Sequence, residues 1–231
     1  MAQAGDITTT EIADRDKMNR AHEGSGVLSI LQSLGPQAGL RLAIDSLLSM
    51  NHYYILGRSL AAPIIYPLRQ KPDLPFLPLD EETLRMLRDQ AGNLPPRDRR
   101  ELLGRLRFHS RGFSNCYVMK SGGEAAYLQW LIYPEENPVI MSRFAGKFYQ
   151  LSERQVMVEN VFTFPRFRGQ GLLPYGTGKL LEVARERGYA SAICYIRKDN
   201  ITSLNEFCRL GFRIMKIVRE YKVFGYAWRA L

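Results

Sequence analysis

Apolar and polar residues in the second half of the chain alternate with the periods of strands and helices in turn. A strand is predicted where apolar residues fill a short run, and a helix where they recur three and four residues apart. Gly188 and Gly211 close the two predicted helices, because glycine readily takes the left-handed conformation that ends a helix. The predicted elements are a strand at Val156 to Phe164, a helix at Leu172 to Arg187, a strand at Ala190 to Ile196, a helix at Thr202 to Leu210 and a strand pair within Phe212 to Trp228. This order indicates an α/β fold built in layers.

The middle of the chain predicts two helices followed by a hairpin. Asp80 is a suitable N-cap for the first helix, and the second runs from about Arg97 to His109. Apolar and aromatic stretches at Asn115 to Lys120 and Ala125 to Tyr133 flank the sequence Ser121-Gly122-Gly123-Glu124. Because glycine supplies the positive φ angles of a tight turn, this pattern predicts two antiparallel strands joined by a hairpin.

The first 78 residues precede this pattern and divide into a tail and an extension. Residues 1–24 are polar without a helical stripe, which predicts a flexible tail. Two segments separated by Gly35-Pro36 then predict short amphipathic helices that pack on the protein's own core or on a second copy in a homodimer, with a membrane-surface anchor or partner-binding face as the alternative. Their apolar residues are Val27, Ile30, Leu31 and Leu34, then Leu40, Ile44, Leu47 and Leu48. Prolines at 63, 67, 72, 75 and 78 mark a join, so we divide the chain into a tail at 1–24, a helical extension and proline-rich join at 25–78, and a main domain at 79–231.

Composition and charge narrow the class of protein. A chain of 231 residues with 45% hydrophobic content can bury one sizeable core. No apolar run has the length of a secretory signal or a transmembrane segment, and three scattered cysteines favour reduced thiols, so we expect a cytoplasmic protein. The cysteine and histidine spacings predict no metal site. The net charge of +9 attracts polyanions and would also suit a ligand with phosphate groups, but charge alone selects no partner. Since no nucleic-acid motif accompanies it, we expect no nucleic-acid function.

The strongest local signal is Arg166-Phe167-Arg168-Gly169-Gln170-Gly171, between a predicted strand and a predicted helix. Glycines at such a turn let main-chain N–H groups converge, and the positive end of the following helix favours an anion, so the segment predicts a pyrophosphate cradle. A tight turn without a ligand is the alternative. A second motif follows the next strand, where Asn200, Ser203, Phe207, Gly211 and Phe212 fit the pattern N-x-x-S-x-x-x-F-x-x-x-G-F.

Together with Val161-Phe162-Thr163-Phe164-Pro165, these two motifs resemble the GNAT superfamily of acyl-CoA-dependent N-acyltransferases. The resemblance spans about Asp80 to Leu231 and implies a mixed, mostly antiparallel sheet of six to seven strands, flanked by helices, with splayed central strands. It implies acetyl-CoA or another acyl-CoA as co-substrate, with Val161 to Thr163 lying along the pantetheine arm and Arg168 to Leu173 holding the pyrophosphate. The residues it assigns to the cofactor are Val161, Phe162, Thr163, Arg168, Gly169, Gln170, Gly171, Leu172, Leu173, Asn200, Ser203 and Phe207. For Asn200, helix N-capping is an equally good interpretation.

Acylation of an amine needs an unprotonated nitrogen, so a carboxylate near the thioester can act as general base. Glu159 is the candidate, since many members that this chain resembles carry an acidic residue there; a solvent-exposed or arginine-paired carboxylate is the alternative. Superfamily members often have a tyrosine at the position of Phe207 to protonate the departing thiolate, and phenylalanine cannot do so. Cys208, Tyr195, Tyr221 or water could replace it.

The function predicted is transfer of an acetyl or longer acyl group from acyl-CoA to an amine of a small polar acceptor. The arginines between Arg97 and Arg111 and the aromatic residues Tyr221, Phe224, Tyr226 and Trp228 are candidates for the acceptor site, and suit an anionic or sugar-like acceptor. One alternative is a catalytically silent acyl-CoA-binding module, suggested by Phe207. Another is an acyltransferase whose donor is an acidic acyl carrier protein docked on the arginines.

Overall fold

The computed structural model describes residues 48–66, 72–223 and 226–230. Of the described residues, 50–66, 72–221 and 227–230 belong to a first compact unit, and 48–49, 222–223 and 226 to a second. The predicted tail and the two helices predicted between Val27 and Leu48 lie outside the described residues, except for Leu48, where a strand begins. Side chains are described for most of the first unit, which carries all the site residues discussed below.

The described residues contain an eight-stranded sheet, one strand more than the upper bound expected. The strands are β1 (Leu48–Ser59), β2 (Phe76–Pro78), β3 (Cys116–Ser121), β4 (Glu124–Ile132), β5 (Gln155–Thr163), β6 (Ser191–Arg197), β7 (Arg213–Val223) and β8 (Tyr226–Ala230). Their order across the sheet is β2-β3-β4-β5-β6-β1-β7-β8. The pairs β2–β3, β3–β4, β4–β5 and β1–β6 are antiparallel, and β5–β6 is parallel. This is the mixed, mostly antiparallel sheet of the predicted fold class, which is confirmed.

Five helices flank the sheet in the described residues: α1 (Glu81–Gly92), α2 (Pro96–Ser110), α3 (Asn137–Arg143), α4 (Leu172–Glu186) and α5 (Ile201–Arg209). The helix predicted after Asp80 is confirmed with its cap, since an Asp80 carboxylate oxygen accepts the Thr83 N–H at 2.7 Å. The predicted hairpin joins β3 and β4 through Gly122 and Gly123, whose φ angles are 57° and 83°. Positive φ at both turn positions is what glycine was expected to supply.

Strand β1 was not predicted, although it lies in the interior of the sheet between β6 and β7. It pairs with β6 from Tyr53 opposite Arg197 to Ser59 opposite Ser191. The run Tyr53 to Leu56 is continuously apolar or aromatic, which is typical of a strand with neighbours on both sides but carries no alternation to recognise. The sheet therefore takes in residues that precede position 79, where we placed the start of the main domain.

The core has two parts, one on each face of the sheet. On one face, Leu84 of α1 and Leu102 of α2 pack in a cluster with Trp130 of β4. On the other, Leu181 of α4 and Phe207 of α5 pack with buried strand residues. Strand β4 is buried over all but its first residue, because helices cover both of its faces. The carboxyl ends of β5 and β6 lie between these layers.

Candidate active site

The parallel strands β5 and β6 are paired only at their beginnings. Their partner pairs run from Gln155 opposite Ser191 to Met157 opposite Ile193. Both strands continue beyond this point, β5 to Thr163 and β6 to Arg197. On its other side β5 stays paired with β4 up to Thr163. The strands therefore diverge after Met157 and leave an opening between their carboxyl ends, which confirms the predicted splay.

A β-bulge at Asn160 lies where β5 leaves β6. Trp130 of β4 pairs with Glu159 but Leu128 pairs with Phe162, so β5 contains one residue more than its partner. Asn160 has a φ of 61°, the one positive φ of a non-glycine residue in the described part of the chain. A bulge bends its strand and redirects side chains, and asparagine tolerates this conformation better than most residues.

Asn160 also fastens the bulge to helix α2. Its Nδ2 donates to the main-chain oxygen of Arg105 at 3.1 Å, and its Oδ1 accepts from Nη1 of the same arginine at 3.2 Å. Arg105 is half-buried and forms an ion pair with Glu101 one turn earlier. The two contacts hold the bulge against α2 from one side of the opening.

Glu159, the predicted general base, lies at the closed end of this opening. Its Oε2 accepts the N–H of Asn160 at 2.8 Å, and its Oε1 accepts the N–H of Tyr195 in β6 at 3.3 Å. The side chain therefore bridges the two strands where their direct pairing has ended. The residue is half-buried, and the ion pairs found among the described residues do not include it. Its role as general base stays a prediction.

The surroundings of Glu159 act on its protonation in opposite directions. Burial raises the pKa of the carboxyl above its ordinary value, because the charged form loses solvation. The N–H groups of Asn160 and Tyr195 and the positive charges of Arg229 and Arg105 work against this rise in pKa. The outcome is a carboxyl whose pKa is higher than that of a surface glutamate, which brings it closer to the neutral pH at which a general base is most effective.

The glycine motif forms an open turn at the N-terminus of α4. Gly169 and Gly171 have φ angles of 76° and 72°, and Gly171 is the N-cap. No hydrogen bond among the described residues uses the N–H groups of positions 169 to 173. The first turn of a helix has no internal partners for its N–H groups, so these amides are available to a ligand. A Cβ built on Gly169 meets no heavy atom within 4 Å, so the space above the turn is open.

Arg168 and Gln170, two of the residues predicted to bind the cofactor, already make hydrogen bonds within the protein. The N–H of Arg168 donates to Pro165 at 3.3 Å, so this amide is already used by the chain itself. The Arg168 side chain forms an ion pair with Asp98 of α2, and its Nε donates to the main-chain oxygen of Thr163 at 3.2 Å. Gln170 donates its side-chain amide to Arg166 at 3.3 Å. Arg168 thus anchors the loop to β5 and α2, and the open amides begin at Gly169.

The second motif forms the start and the body of α5. Asn200 caps the helix, since its Oδ1 accepts the N–H of Ser203 at 3.2 Å. The capping interpretation of Asn200 is therefore confirmed, while a contact with the cofactor stays a prediction. Phe207 is 3% exposed and packs edge-on against Phe212, with ring centroids 5.1 Å apart, inside the core.

The candidate proton donors for the departing thiolate lie in different settings. Cys208 is exposed on α5, and the Tyr221 ring is stacked on Trp228 at 5.6 Å. Tyr195 lies on β6 directly across the opening from Glu159, and its hydroxyl accepts the N–H of Tyr149 at 3.0 Å. Burial is the main reason why the pKa of Tyr195 rises to about 12, so its hydroxyl keeps its proton at neutral pH. Of these three residues, Tyr195 is the one that a contact connects to Glu159.

The acceptor residues predicted from α2 and the last strands are only partly brought together. Arg105 reaches the bulge beside Glu159, but Arg99 caps the end of α1, donating to Ala91 at 3.1 Å, and Arg97 and Arg100 are exposed. Phe224 and the side chain of Tyr226 lie outside the described part. Tyr53, Phe148 and Arg229 were not predicted as site residues. Phe148 and Arg229 pack beside Tyr195, and Tyr53 packs on Arg229. Asn160 could have been noticed in the sequence, because two successive polar residues, Glu159 and Asn160, interrupt an otherwise apolar strand.

Metal-binding clusters and membrane-spanning helices are both absent from the described residues. No three His, Cys, Asp or Glu side chains among them lie close enough to hold a metal ion. No helix in the same part of the chain has the length and apolar character to cross a membrane.

Comparisons with known proteins find relatives of this chain. No family model matches the sequence. The chain is 25% identical over 123 residues to an uncharacterised N-acetyltransferase of Methanocaldococcus jannaschii, a match that covers 48% of this chain and 54% of that protein. The chain thus spans about half the length of this curated relative.

Two solved structures share the fold. A GNAT-family acetyltransferase from Novosphingobium aromaticivorans matches with a TM-score of 0.50 at 16% identity, covering 78% of this chain and 64% of that one. The GCN5-related glucosamine N-acetyltransferase region of a fungal multi-domain β-N-acetylglucosaminidase matches with a TM-score of 0.52 at 12% identity, covering 84% of this chain and 23% of that one. At such identities the likeness concerns the fold.

Proposed function

We propose that this chain, whose fold is that of the GNAT superfamily, transfers an acetyl or longer acyl group from acyl-CoA to an amine of a small polar acceptor. The observation that carries the proposal is the combination of an open amide turn at the head of α4 with a parted strand pair whose closed end holds Glu159. The turn can hold a pyrophosphate, the opening can take an extended arm, and the carboxylate lies where the reacting end of that arm would arrive.

The binding half of the proposal rests on main-chain groups. The amides of residues 169 to 173 are unused among the described residues, and the positive end of a fifteen-residue helix lies behind them. The edge of β5 from Val161 to Thr163 has no partner from β6, so it can pair with the amide groups of a pantetheine arm as a neighbouring strand would. The residues present therefore fit a molecule of acyl-CoA.

The chemical half of the proposal gives Glu159 the role of general base. The acceptor nitrogen attacks the thioester carbonyl carbon, a C–N bond forms and the C–S bond breaks. Glu159 takes the proton that the nitrogen loses, directly or through one water. The sulfur leaves as a thiolate, and because a free thiol has a pKa of about 8.5, it can leave near neutral pH with little help. Tyr195, whose hydroxyl keeps its proton at neutral pH, is our candidate for protonating the thiolate.

Release of free thiol on incubation with acetyl-CoA and a panel of amines tests the proposal. We expect Glu159→Gln to lose turnover while the affinity for CoA, measured by calorimetry, is retained. Silence of the wild-type protein across several acyl lengths and amines, despite tight CoA binding, would favour a binding module instead. The core position of Phe207 supports that alternative, because no hydroxyl is offered at that site.

A donor carried by an acyl carrier protein is a second alternative. Arg97, Arg100 and Arg107 are exposed along α2, and the ion pairs found among the described residues do not include them. Turnover only with carrier-bound donors, and its loss as salt is raised, would favour this alternative.

A further inference from the structure

Strand β8 carries an arginine that is almost completely buried. The side chain of Arg229 is 9% exposed, and its Nε donates to Oε2 of Glu220 in β7 at 3.1 Å, where the carboxylate is 5% exposed. Its Nη1 donates to the main-chain oxygen of Lys147 at 2.9 Å. The Arg229 main-chain N–H also donates to the oxygen of Gly146. One residue thus joins β7, β8 and the segment that follows α3.

Three aromatic rings surround the guanidinium of Arg229. Its central carbon lies 3.8 Å from the ring centroid of Tyr53, 5.1 Å from that of Tyr195 and 5.4 Å from that of Phe148. A cation held over aromatic faces at these distances is attracted to them, and more strongly where water is excluded. Phe148 and Tyr195 also contact each other edge-on at 5.2 Å. The arginine is therefore the centre of a cluster that includes the residue facing Glu159.

Tyr195 connects this cluster with the candidate base. Its N–H donates to Glu159 Oε1 at 3.3 Å, its ring lies under Arg229, and its hydroxyl accepts the N–H of Tyr149 at 3.0 Å. The contacts of its ring and hydroxyl hold Tyr195 in position. Its main-chain N–H donates one of the two hydrogen bonds that the Glu159 carboxylate accepts. A small movement of Tyr195 would change the direction of the Glu159 carboxylate.

We propose that Arg229, held by Glu220, is a positioning residue for Glu159 and acts on it through Tyr195. The inference rests on the proposed function, in which Glu159 is the base. The groups that act on the Glu159 carboxylate are Arg105 from α2, Arg229 from β8, Tyr53 from β1, and Cys194 and Tyr195 from β6. Arg105 and Arg229 bring the positive charges of this set, and Arg229 alone also packs on Tyr195.

The test compares Arg229→Lys and Arg229→Gln with a matched control, Arg58→Lys. Arg58 is also buried and also donates to main-chain oxygens, those of Leu210 and Pro63, but it takes no part in the Glu159 cluster. Lysine keeps the charge at position 229 but cannot stack flat on the rings while it holds Glu220 and Lys147 together. Melting temperatures show which variants are folded, and Arg229→Lys keeps the test possible where Arg229→Gln does not fold.

Two measurements decide the outcome. We expect Arg229→Lys to lower kcat by about 10- to 100-fold with a much smaller change in KM for acetyl-CoA, because displaced catalytic groups cost about this much. We expect the pKa of the Glu159 carboxyl, followed by carbon NMR, to rise in Arg229→Gln, where a nearby positive charge is lost, and to shift also in Arg229→Lys, where the charge stays but Tyr195 is displaced. In the control both quantities stay at their wild-type values.

The two proposals can fail separately. Folded Arg229 variants with the wild-type kcat and an unchanged Glu159 pKa would overturn the positioning role while the acyltransferase function stands. A wild-type protein that transfers no acyl group, but whose Glu159 pKa still responds to Arg229 and not to Arg58, would overturn the function and leave the positioning of the carboxylate supported.

Discussion

Replacing Gly169 by alanine tests whether the open turn before α4 binds a diphosphate. At a φ of 76° an alanine is strained, which costs about 1–2 kcal/mol of folding free energy. The added methyl group meets no protein atom within 4 Å, so it creates no clash inside the folded chain. It projects into the unoccupied space outside the turn, which a bound diphosphate would have to share. The variant is therefore expected to be folded but impaired in binding.

The expected loss of CoA affinity follows from the hydrogen bonds that the added methyl group would prevent. A hydrogen bond between an amide and a charged group is worth about 1.5–3 kcal/mol, and each 1.4 kcal/mol is a factor of about ten in Kd. If the methyl group prevents one such bond, the Kd for CoA should rise by about 10- to 100-fold. Calorimetric titration with CoA measures this directly, without any assumption about the acceptor.

The same helix offers a matched control at its other end. Gly188 follows the last turn of α4, has a φ of 84°, and also has no heavy atom within 4 Å of a built Cβ. Gly188→Ala therefore carries the same backbone strain without approaching the turn. We expect equal losses of melting temperature in the two variants and a loss of CoA affinity in Gly169→Ala alone. Equal affinities in both variants would refute the assignment of the turn as a diphosphate site.

The remaining predictions concern the chemistry and the core. Glu159→Gln should lower kcat by about 100-fold or more, because a general base contributes that much, and leave the Kd for CoA nearly unchanged in calorimetry. Since burial raises the pKa of Glu159 and the base must be deprotonated, kcat/KM should rise with pH and level off at a higher pH than a surface glutamate would give; a profile that is flat from pH 4 upward would contradict this role. Phe207→Tyr should not raise kcat and should destabilise the protein by about 1–3 kcal/mol in denaturant unfolding, because its hydroxyl enters an apolar core without a partner.

The parts of the fold that sequence predicted best are those with local signals. The cap at Asp80, the two-glycine hairpin and the glycine turn before α4 each depend on residues within a few positions, and all are present in the structure. Glu159 could be chosen because it precedes a recognisable motif on the same strand. Its contact with Tyr195 depends on how β5 and β6 diverge, which the resemblance implied and the residues alone did not.

The parts that were missed depend on contacts between distant positions. Strand β1 pairs with a strand more than a hundred positions later, as Ser59 opposite Ser191 shows, and no nearby residue announces that pairing. Arg229 meets Tyr53 and Lys147 only because β8, β1 and the segment after α3 converge. In the sequence it is one arginine among many. Its burial and its partners appear only when the sheet is assembled.

The bulge at Asn160 explains why the proposed base and the proposed binding opening occur together. Where β5 and β6 part, main-chain groups on the facing edges lose their partners, and buried groups of this kind must be satisfied in another way. At the closed end, Glu159 satisfies one such group by accepting the N–H of Tyr195. The carboxylate therefore faces the opening and also stabilises the strands that form it. Removal of the side chain by alanine would therefore combine a loss of base with a change in the opening. Glutamine keeps one oxygen that can accept the Tyr195 N–H, while its amide nitrogen cannot accept the N–H of Asn160, so Glu159→Gln disturbs the opening less than alanine does.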